Sequence, residues 1–340
     1  MLAAWGLLIL SLFIILVGCD LFTNGVEWAG KKLRLAEGAV GSVLAAVGTC
    51  LPETLIAILA IVFGEKKGAG DAIGIGAILG APLMLSTLAF FVTGLAVIFY
   101  SLKKTRPRRM NVDHRILGRD LRFFFIVFII SAAAAYVTLK PAKYAVAVGL
   151  VLLYAYYIRL TFADKRGPES DEDISPLHFF KKAGEPPLWL IGLQGVLGVG
   201  ALVCGAYVFV AQLTQIAVAT GVRPLVLSLI ITPIATELPE KFNSVLWVRQ
   251  RKDTLALGNI SGAMVFQSSI CPAIGMVFTE WKLDIEAMAC VVVAVVSAAT
   301  VWGEMMWRKR ISAYALLMGG AFYAAYLVWI FTAGEKLIPR

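Results

Sequence analysis

Apolar runs of about 20 residues or more recur from one end of the chain to the other, separated by charged connections. Each is long enough, as an α-helix, to cross a hydrocarbon layer about 30 Å thick. Reading apolar runs between charge clusters predicts ten spans, at roughly 2–30, 37–64, 68–100, 117–138, 141–162, 186–218, 224–249, 253–279, 285–307 and 311–333. One connection, 163–185, is longer than the rest. It is polar, rich in charge and proline, and too short for a folded domain. It separates five spans in 1–162 from five in 186–340. The expected fold is an all-α membrane protein of ten transmembrane helices. Leu16-Val17-Gly18-Cys19 loosely resembles a lipoprotein cleavage site. No Lys or Arg precedes the apolar run, however, and a signal sequence begins with positive charge. The run is read as the first span.

Composition supports this picture. The chain has 340 residues, 59% hydrophobic and 16% charged, against about 25% charged in soluble domains. That excludes a soluble enzyme, a disordered chain and a disulfide scaffold. The net charge of +9 takes its meaning from where the basic residues fall. Of the 31 Lys and Arg, 22 lie on one set of alternate connections. The positive-inside rule then assigns that side to the cytoplasm and both termini to the outside. The localisation expected is a plasma membrane, crossed many times, of the bacterial or archaeal inner-membrane type. The basic residues face anionic lipid, not nucleic acid, and no obligate protein partner is implied. Cys19, Cys50, Cys204, Cys271 and Cys290 lie singly within apolar runs and read as small buried hydrophobes. His114 and His178 fall in connections and form no ligand pair.

Two segments echo each other. Gly48-Thr49-Cys50-Leu51-Pro52-Glu53 lies in span 2, and Ala235-Thr236-Glu237-Leu238-Pro239-Glu240 lies in span 7. Their shared core is Thr-x-x-Pro-Glu. In each half a small-residue stretch follows one span later: Gly76-Ala77-Ile78-Leu79-Gly80-Ala81-Pro82 and Gly258-Asn259-Ile260-Ser261-Gly262-Ala263-Met264. Five spans separate the copies, an odd number, so they insert with opposite orientation. Inverted repeats with interrupted helices at mid-membrane are the layout of secondary transporters.

The chemistry of the echoed motifs suits a cation. An ionised carboxylate at the bilayer centre costs about 2.5–3.5 kcal/mol on insertion scales, and Glu53 and Glu240 would both bear that cost. Thr49 to Glu53 and Thr236 to Glu240 are i,i+4 pairs, which share a helix face. Proline lacks the N–H that would bond four residues back. Pro52 therefore frees the carbonyl of Gly48, and Pro239 frees that of Ala235. Hard cations such as Ca²⁺ take about 6–8 oxygen ligands. Two facing motifs offer carboxylate, hydroxyl and carbonyl oxygens with two negative charges, matching one divalent ion. Gly76, Gly80, Gly258 and Gly262 are expected to let partner helices approach closely.

These residues resemble the alpha repeats of the cation/Ca²⁺ antiporter superfamily, the sodium/calcium exchangers and their relatives. That pattern is Gly-Thr-Ser-Leu-Pro-Glu, then Gly-Asn-x-x-Gly-Ser-Asn-x-x-Asn or Asp on the next helix. The specific likeness covers about 30–35 residues in each half. It implies two inverted five-helix repeats and an ion site built from spans 2, 3, 7 and 8. It also implies alternating access, in which spans 1 and 6 slide as a peripheral pair. The metal ligands it implies are Glu53, Glu240, Thr49 and Thr236. The transported ions would be Ca²⁺ or another divalent cation, exchanged for Na⁺ or H⁺. No cofactor is implied, and the chain is not expected to be an enzyme.

Several positions depart from the pattern. Cys50 and Glu237 stand where serine is usual, as do Ala81 and Ala263, and Leu85 and Gln267 take the last amide or acid place. Asn259 is kept, while its partner position is Ala77. This thins the oxygen ligands of the flanking monovalent sites and leaves a proton-driven Ca²⁺/Mn²⁺ exchanger without Na⁺ coupling as the alternative. A non-transporting sensor or scaffold is the remaining one, and no connection is large enough for a binding domain. Glu237 and Lys241 are i,i+4, with the acid first, the favourable order for a helix pair. Two readings stay open for them: a coupling role, or a structural pair turned from the site. Gln267, Asn259 and Ser86 either line the path or join helices. Asp20, Asn24 and Glu27 either gate entry or form a solvated helix end. The acidic run Glu169, Asp171, Glu172 and Asp173 reads as solvated linker.

Overall fold

The computed structural model describes residues 2–32, 50–63, 69–163, 175–180 and 185–332; within these, the side chains of 30, 51, 52, 63, 235 and 238–243 fall outside the description. The described residues form ten helices in the predicted order. They are α1 (Leu2–Lys32), α2 (Leu51–Phe63), α3 (Ala69–Leu102), α4 (His114–Ala133), α5 (Lys140–Ala163), α6 (Leu188–Thr220), α7 (Pro224–Arg249), α8 (Asp253–Phe278), α9 (Ile285–Arg308) and α10 (Ala313–Thr332). Seven are long and apolar enough to cross a membrane by length and composition. Among the other three, α2 is described only from Leu51. The apolar part of α7 is Pro224–Ile234, ahead of its acidic motif. Arg115, Arg119, Asp120 and Arg122 stand in the first turns of α4.

Helix α3 is continuous but changes pitch. Pro82 lies within it, and Leu85–Ala89 form a π-helical turn. A proline cannot supply the usual ladder hydrogen bond, and wide turns of this kind absorb such interruptions. The Ser86 hydroxyl donates to the carbonyls of Pro82 and Leu83. Its own carbonyl accepts from Ser297 of α9.

The packing follows the inverted repeat. α5 lies against α8, and its counterpart α10 lies against α3. α4 also packs on α8, as α9 packs on α3. Matching positions of the two small-residue stretches are each bonded to the packing helix, by different groups. Ser261 of α8 donates to Asp120 of α4 at 2.7 Å, and Cys290 of α9 donates to the carbonyl of Leu79 in α3 at 3.3 Å. Ser261 and Leu79 hold the same place in the two small-residue stretches.

α1 and α6 pack chiefly against each other. A Cβ on Gly198 would come within 2.8 Å of the Phe22 nitrogen and 2.9 Å of the Gly18 carbonyl oxygen, both backbone atoms. Overpacking a tight contact costs about 1–3 kcal/mol. Gly198→Leu should therefore lower the melting temperature in detergent, whereas Gly192→Leu, where a Cβ meets nothing within 4 Å among the described residues, should not.

The two long helices are also tied by the connection between the repeats. Asn24 of α1, only 5% exposed, donates to the Ser175 carbonyl and accepts from the His178 N–H. Gln194 of α6 donates to Asn24 and to the Leu21 carbonyl and accepts from the Phe179 N–H. Trp28 donates to Ser175, and its ring packs with Leu177 and Ile191. The exposed Asp20 carboxylate lies 3.0 Å from His178 Nε2. This end of α1 is therefore a docking surface for Ser175–Phe180. Asn24 is buried in it instead of solvated, because the backbone of that segment meets its amide. Cys204 likewise departs from expectation: it lies on the outward face of α6, while Cys50, Cys271 and Cys290 are buried.

One end of the molecule is laced across several connections. Short antiparallel strands β1 (Arg109–Met110) and β2 (Ile311–Ser312) pair the α3–α4 and α9–α10 connections. Buried Arg106 donates to the Val248 carbonyl at 2.7 Å and pairs with Asp253 at 2.9 Å. Asp253 also accepts from the Asn111 N–H.

Candidate functional site

α2, α3, α7 and α8 meet in the interior, as the four-span expectation requires. The closest crossing is between α3 and α7. A Cβ on Gly76 would lie 2.7 Å from the Leu225 carbonyl oxygen, and one on Gly80 would lie 2.6 Å from that of Leu229. Ser228 reinforces the crossing by donating to the Ile73 carbonyl. For the second glycine pair, among the described residues a Cβ on Gly258 meets nothing within 4 Å, and one on Gly262 meets only the Tyr157 hydroxyl at 3.7 Å. The expectation of close approach holds for Gly76 and Gly80; for Gly258 and Gly262 it involves span 2, of which residues 37–49 lie outside the described residues. α8 also leans on the aromatic face of α5, where Tyr154 packs edge-on to Phe266.

Glu53 is in the first turn of α2 and is 3% exposed. Its neighbour Thr54 donates to the Cys50 carbonyl at 2.8 Å and contacts Cys271 Sγ of α8 at 3.3 Å. Across the crossing, Thr236 and Glu237 of α7 are each 2% exposed. Gln267 of α8 donates its amide to the Glu237 carboxylate. Gln267 and Cys271 are i,i+4 and share one helix face. That face of α8 therefore touches both motifs, and Cys271 lies within electrostatic range of both Glu53 and Glu237. Tyr154 of α5 lies within electrostatic range of both Cys271 and buried Cys50.

The hydroxyls are arranged as acceptors. Thr236 donates to the Thr232 carbonyl at 3.0 Å, and Thr232 lies 3.2 Å from Ser228 Oγ. A hydroxyl whose proton is committed to a carbonyl still presents oxygen lone pairs. Ser228, Thr232 and Thr236 form a buried file along one face of α7, ending at the acidic motif. The i,i+4,i+8 spacing was visible in the sequence, but Ser228 and Thr232 stand outside the echoed motif. Thr54 and Cys271 were likewise unmarked.

Gly48 and Thr49 lie outside the described residues. So do the side chains of Ala235, Glu240 and Lys241. Asn259 is half-buried on α8. Ser86 is buried, with its hydroxyl and carbonyl used as described above. Among the described residues no cluster of three His, Cys, Asp or Glu side chains forms a metal site; Glu53 and Glu237 are the described acids at the centre.

The arrangement can be compared with known proteins. The sodium/calcium exchanger protein family matches residues 3–163 and 191–333. The chain belongs to this family. It is 25% identical to a putative antiporter, CaxA, of Alkalimonas amylolytica over 94% of this chain and 96% of the relative. It is 24% identical to the sodium/calcium exchanger MaX1 of Methanosarcina acetivorans over 96% and 97%. Among solved structures, the H⁺/Ca²⁺ exchanger CAX superposes with a TM-score of 0.74 at 17% identity, covering 98% of this chain and 83% of that one. The sodium-calcium exchanger NCX_Mj superposes with a TM-score of 0.59 at 20% identity, covering 97% and 99%. The fold is thus the ten-helix, inverted-repeat fold of cation antiporters, and family membership makes the chain a membrane transporter.

Proposed function

We propose that this protein exchanges Ca²⁺, or a similar divalent cation, for Na⁺ or H⁺ by alternating access, with the divalent ion held between Glu53 and Glu240. The observation that carries the reading is the convergence of both echoed motifs on one face of α8, through Thr54–Cys271 on one side and Glu237–Gln267 on the other. Thr49 and Thr236 and the freed carbonyls of Gly48 and Ala235 would complete the oxygen shell. Two five-helix units, 1–162 and 186–340, would be joined by a cytoplasmic linker, 163–185, with both termini outside. The site is intramolecular, so the partners are inorganic cations and lipid.

A second reading, proton coupling without Na⁺, is favoured by Glu237. A buried carboxylate here adds an ionisable group where serine would offer only a neutral hydroxyl. Gln267 bonds it across the helix interface, so a change in its charge would be felt by α8. Lys241, one turn on, would stand where a coupling cation could otherwise sit.

Purified protein in sealed vesicles tests both. Uptake of radiolabelled Ca²⁺ or Mn²⁺ is followed under an imposed Na⁺ gradient and, separately, an imposed pH gradient. Uptake that ignores both gradients defeats the antiport reading. Uptake driven by Na⁺ alone defeats the proton reading. In Glu237→Gln, uptake should persist while its dependence on pH flattens; an unchanged pH profile would show that Glu237 carries no coupling proton.

A further inference from the structure

At the laced end of the molecule, a cavity of about 430 Å³ opens between the last turns of α3 and the end of α7. Phe99, Tyr100, Lys103, Thr105 and Arg249 line it. Lys103 and Arg249 are both exposed, and the Lys103 ammonium stands 4.4 Å from the centroid of the Phe99 ring. Arg251 adds a third cation at the rim, where its guanidinium donates to the Thr105 carbonyl at 3.0 Å. Among the described residues neither Lys103 nor Arg249 has an acidic partner. Asp253, the buried acid of this end, is already engaged by Arg106 and the Asn111 N–H. The same lacing fixes the positions of Thr105 and Val248, the neighbours that set where the two cations stand.

The wall below the cations is apolar. Leu95 and Phe99 on α3 and Leu246 on α7 are each about half exposed. Phe99 lines the cavity itself, and Leu95, one turn before it on α3, and Leu246, three residues before Arg249 on α7, continue the same helix faces away from the cations. Positive charge at the rim with a greasy wall running away from it matches one kind of molecule: a headgroup phosphate above, and an acyl chain below.

We propose that this cavity binds the phosphate of an anionic phospholipid, held between Lys103 and Arg249, with an acyl chain along Leu95, Phe99 and Leu246. Basic pockets between transmembrane helices are suited to such headgroups. A free phosphate ion would use the cations but not the apolar wall. The lipid would bridge the end of α3 to the end of α7, and Arg249 lies twelve residues beyond Glu237, about 18 Å along the helix. The proposal does not depend on which ions are exchanged.

The test uses the full chain in phosphatidylcholine vesicles doped with a photoactivatable phosphatidylglycerol. Cross-links are mapped by mass spectrometry. They should fall in the segments around 95–105 and 246–249. Lys103→Gln and Arg249→Gln should each reduce them about fivefold, the effect expected for one basic residue at an anionic lipid surface. The Arg115→Gln/Arg310→Gln pair, which removes two exposed charges from the same end, should leave them unchanged. Unlabelled phosphatidylglycerol should compete, and glycerol phosphate at equal concentration should not. Equal losses in the site and control variants would reduce the effect to general surface charge and overturn the proposal. So would cross-links mapping elsewhere, or displacement by glycerol phosphate. All four substituted residues are exposed, so folding is expected to survive, and size-exclusion profiles check that it has.

Discussion

Glu53→Gln should abolish divalent-cation exchange while leaving the fold intact. Glu53 is buried in the interior, next to the Thr54–Cys271 contact that joins α2 to α8. Removing one member of a buried ionic interaction costs about 3–5 kcal/mol, so uptake should fall by a hundredfold or more. The folded state should respond in the opposite direction. An ionised carboxylate in the membrane interior carries a cost of about 2.5–3.5 kcal/mol that a neutral amide largely avoids. The melting temperature of Glu53→Gln without divalent ion should therefore equal or exceed that of the parent. The stabilisation that Ca²⁺ gives the parent should disappear. Melting curves with and without Ca²⁺, beside vesicle uptake, measure all three. Retained uptake, or Ca²⁺ stabilisation as large as in the parent, would remove Glu53 from the ion site.

Gly80→Val should damage both stability and transport. A Cβ at Gly80 would already lie 2.6 Å from the Leu229 carbonyl oxygen and 2.7 Å from a ring carbon of Pro233. The first is backbone, and the second belongs to a rigid ring, so neither can step aside. α3 and α7 would have to separate, at a cost toward the upper end of the roughly 1–3 kcal/mol typical of overpacked interiors. The separation would act directly on α7, which bears Thr236 and Glu237. Gly303→Val is the control, since it is an exposed glycine of α9 at which a Cβ meets nothing within 4 Å among the described residues. Thermal melting should drop for Gly80→Val and barely move for Gly303→Val. Equal losses in the two would show that the α3–α7 crossing is not the tight one.

Much of this architecture was legible in the sequence because the membrane restricts the choices. Spans follow from apolar length, and the odd number of spans between the echoed motifs dictates opposite orientation. The helices that meet in the interior were legible for the same reason, since Pro-Glu at mid-span is costly enough to stand out. The rest depended on packing. The glycine pairs look alike on paper, and only packing shows that Gly76 and Gly80 lie against the backbone of α7. Asn24 reads as a polar residue near a helix end, and its burial comes from Gln194 and Ser175, far away in sequence. The spacing of Ser228 and Thr232 was legible, but not that Ser228 would be held against the Ile73 carbonyl of α3. The Arg106–Asp253 pair joins residues 147 apart, a distance no local pattern spans.

The docking of Ser175–Phe180 has a mechanical corollary. Asn24 grips that segment from α1 and Gln194 grips it from α6, so a shift of either helix alone would tear several hydrogen bonds. Any sliding of the pair would therefore carry the segment with it, as one carriage. A spectroscopic label at Phe179, a residue 44% exposed, would ride on that carriage and report its position against a second label anywhere on the laced end.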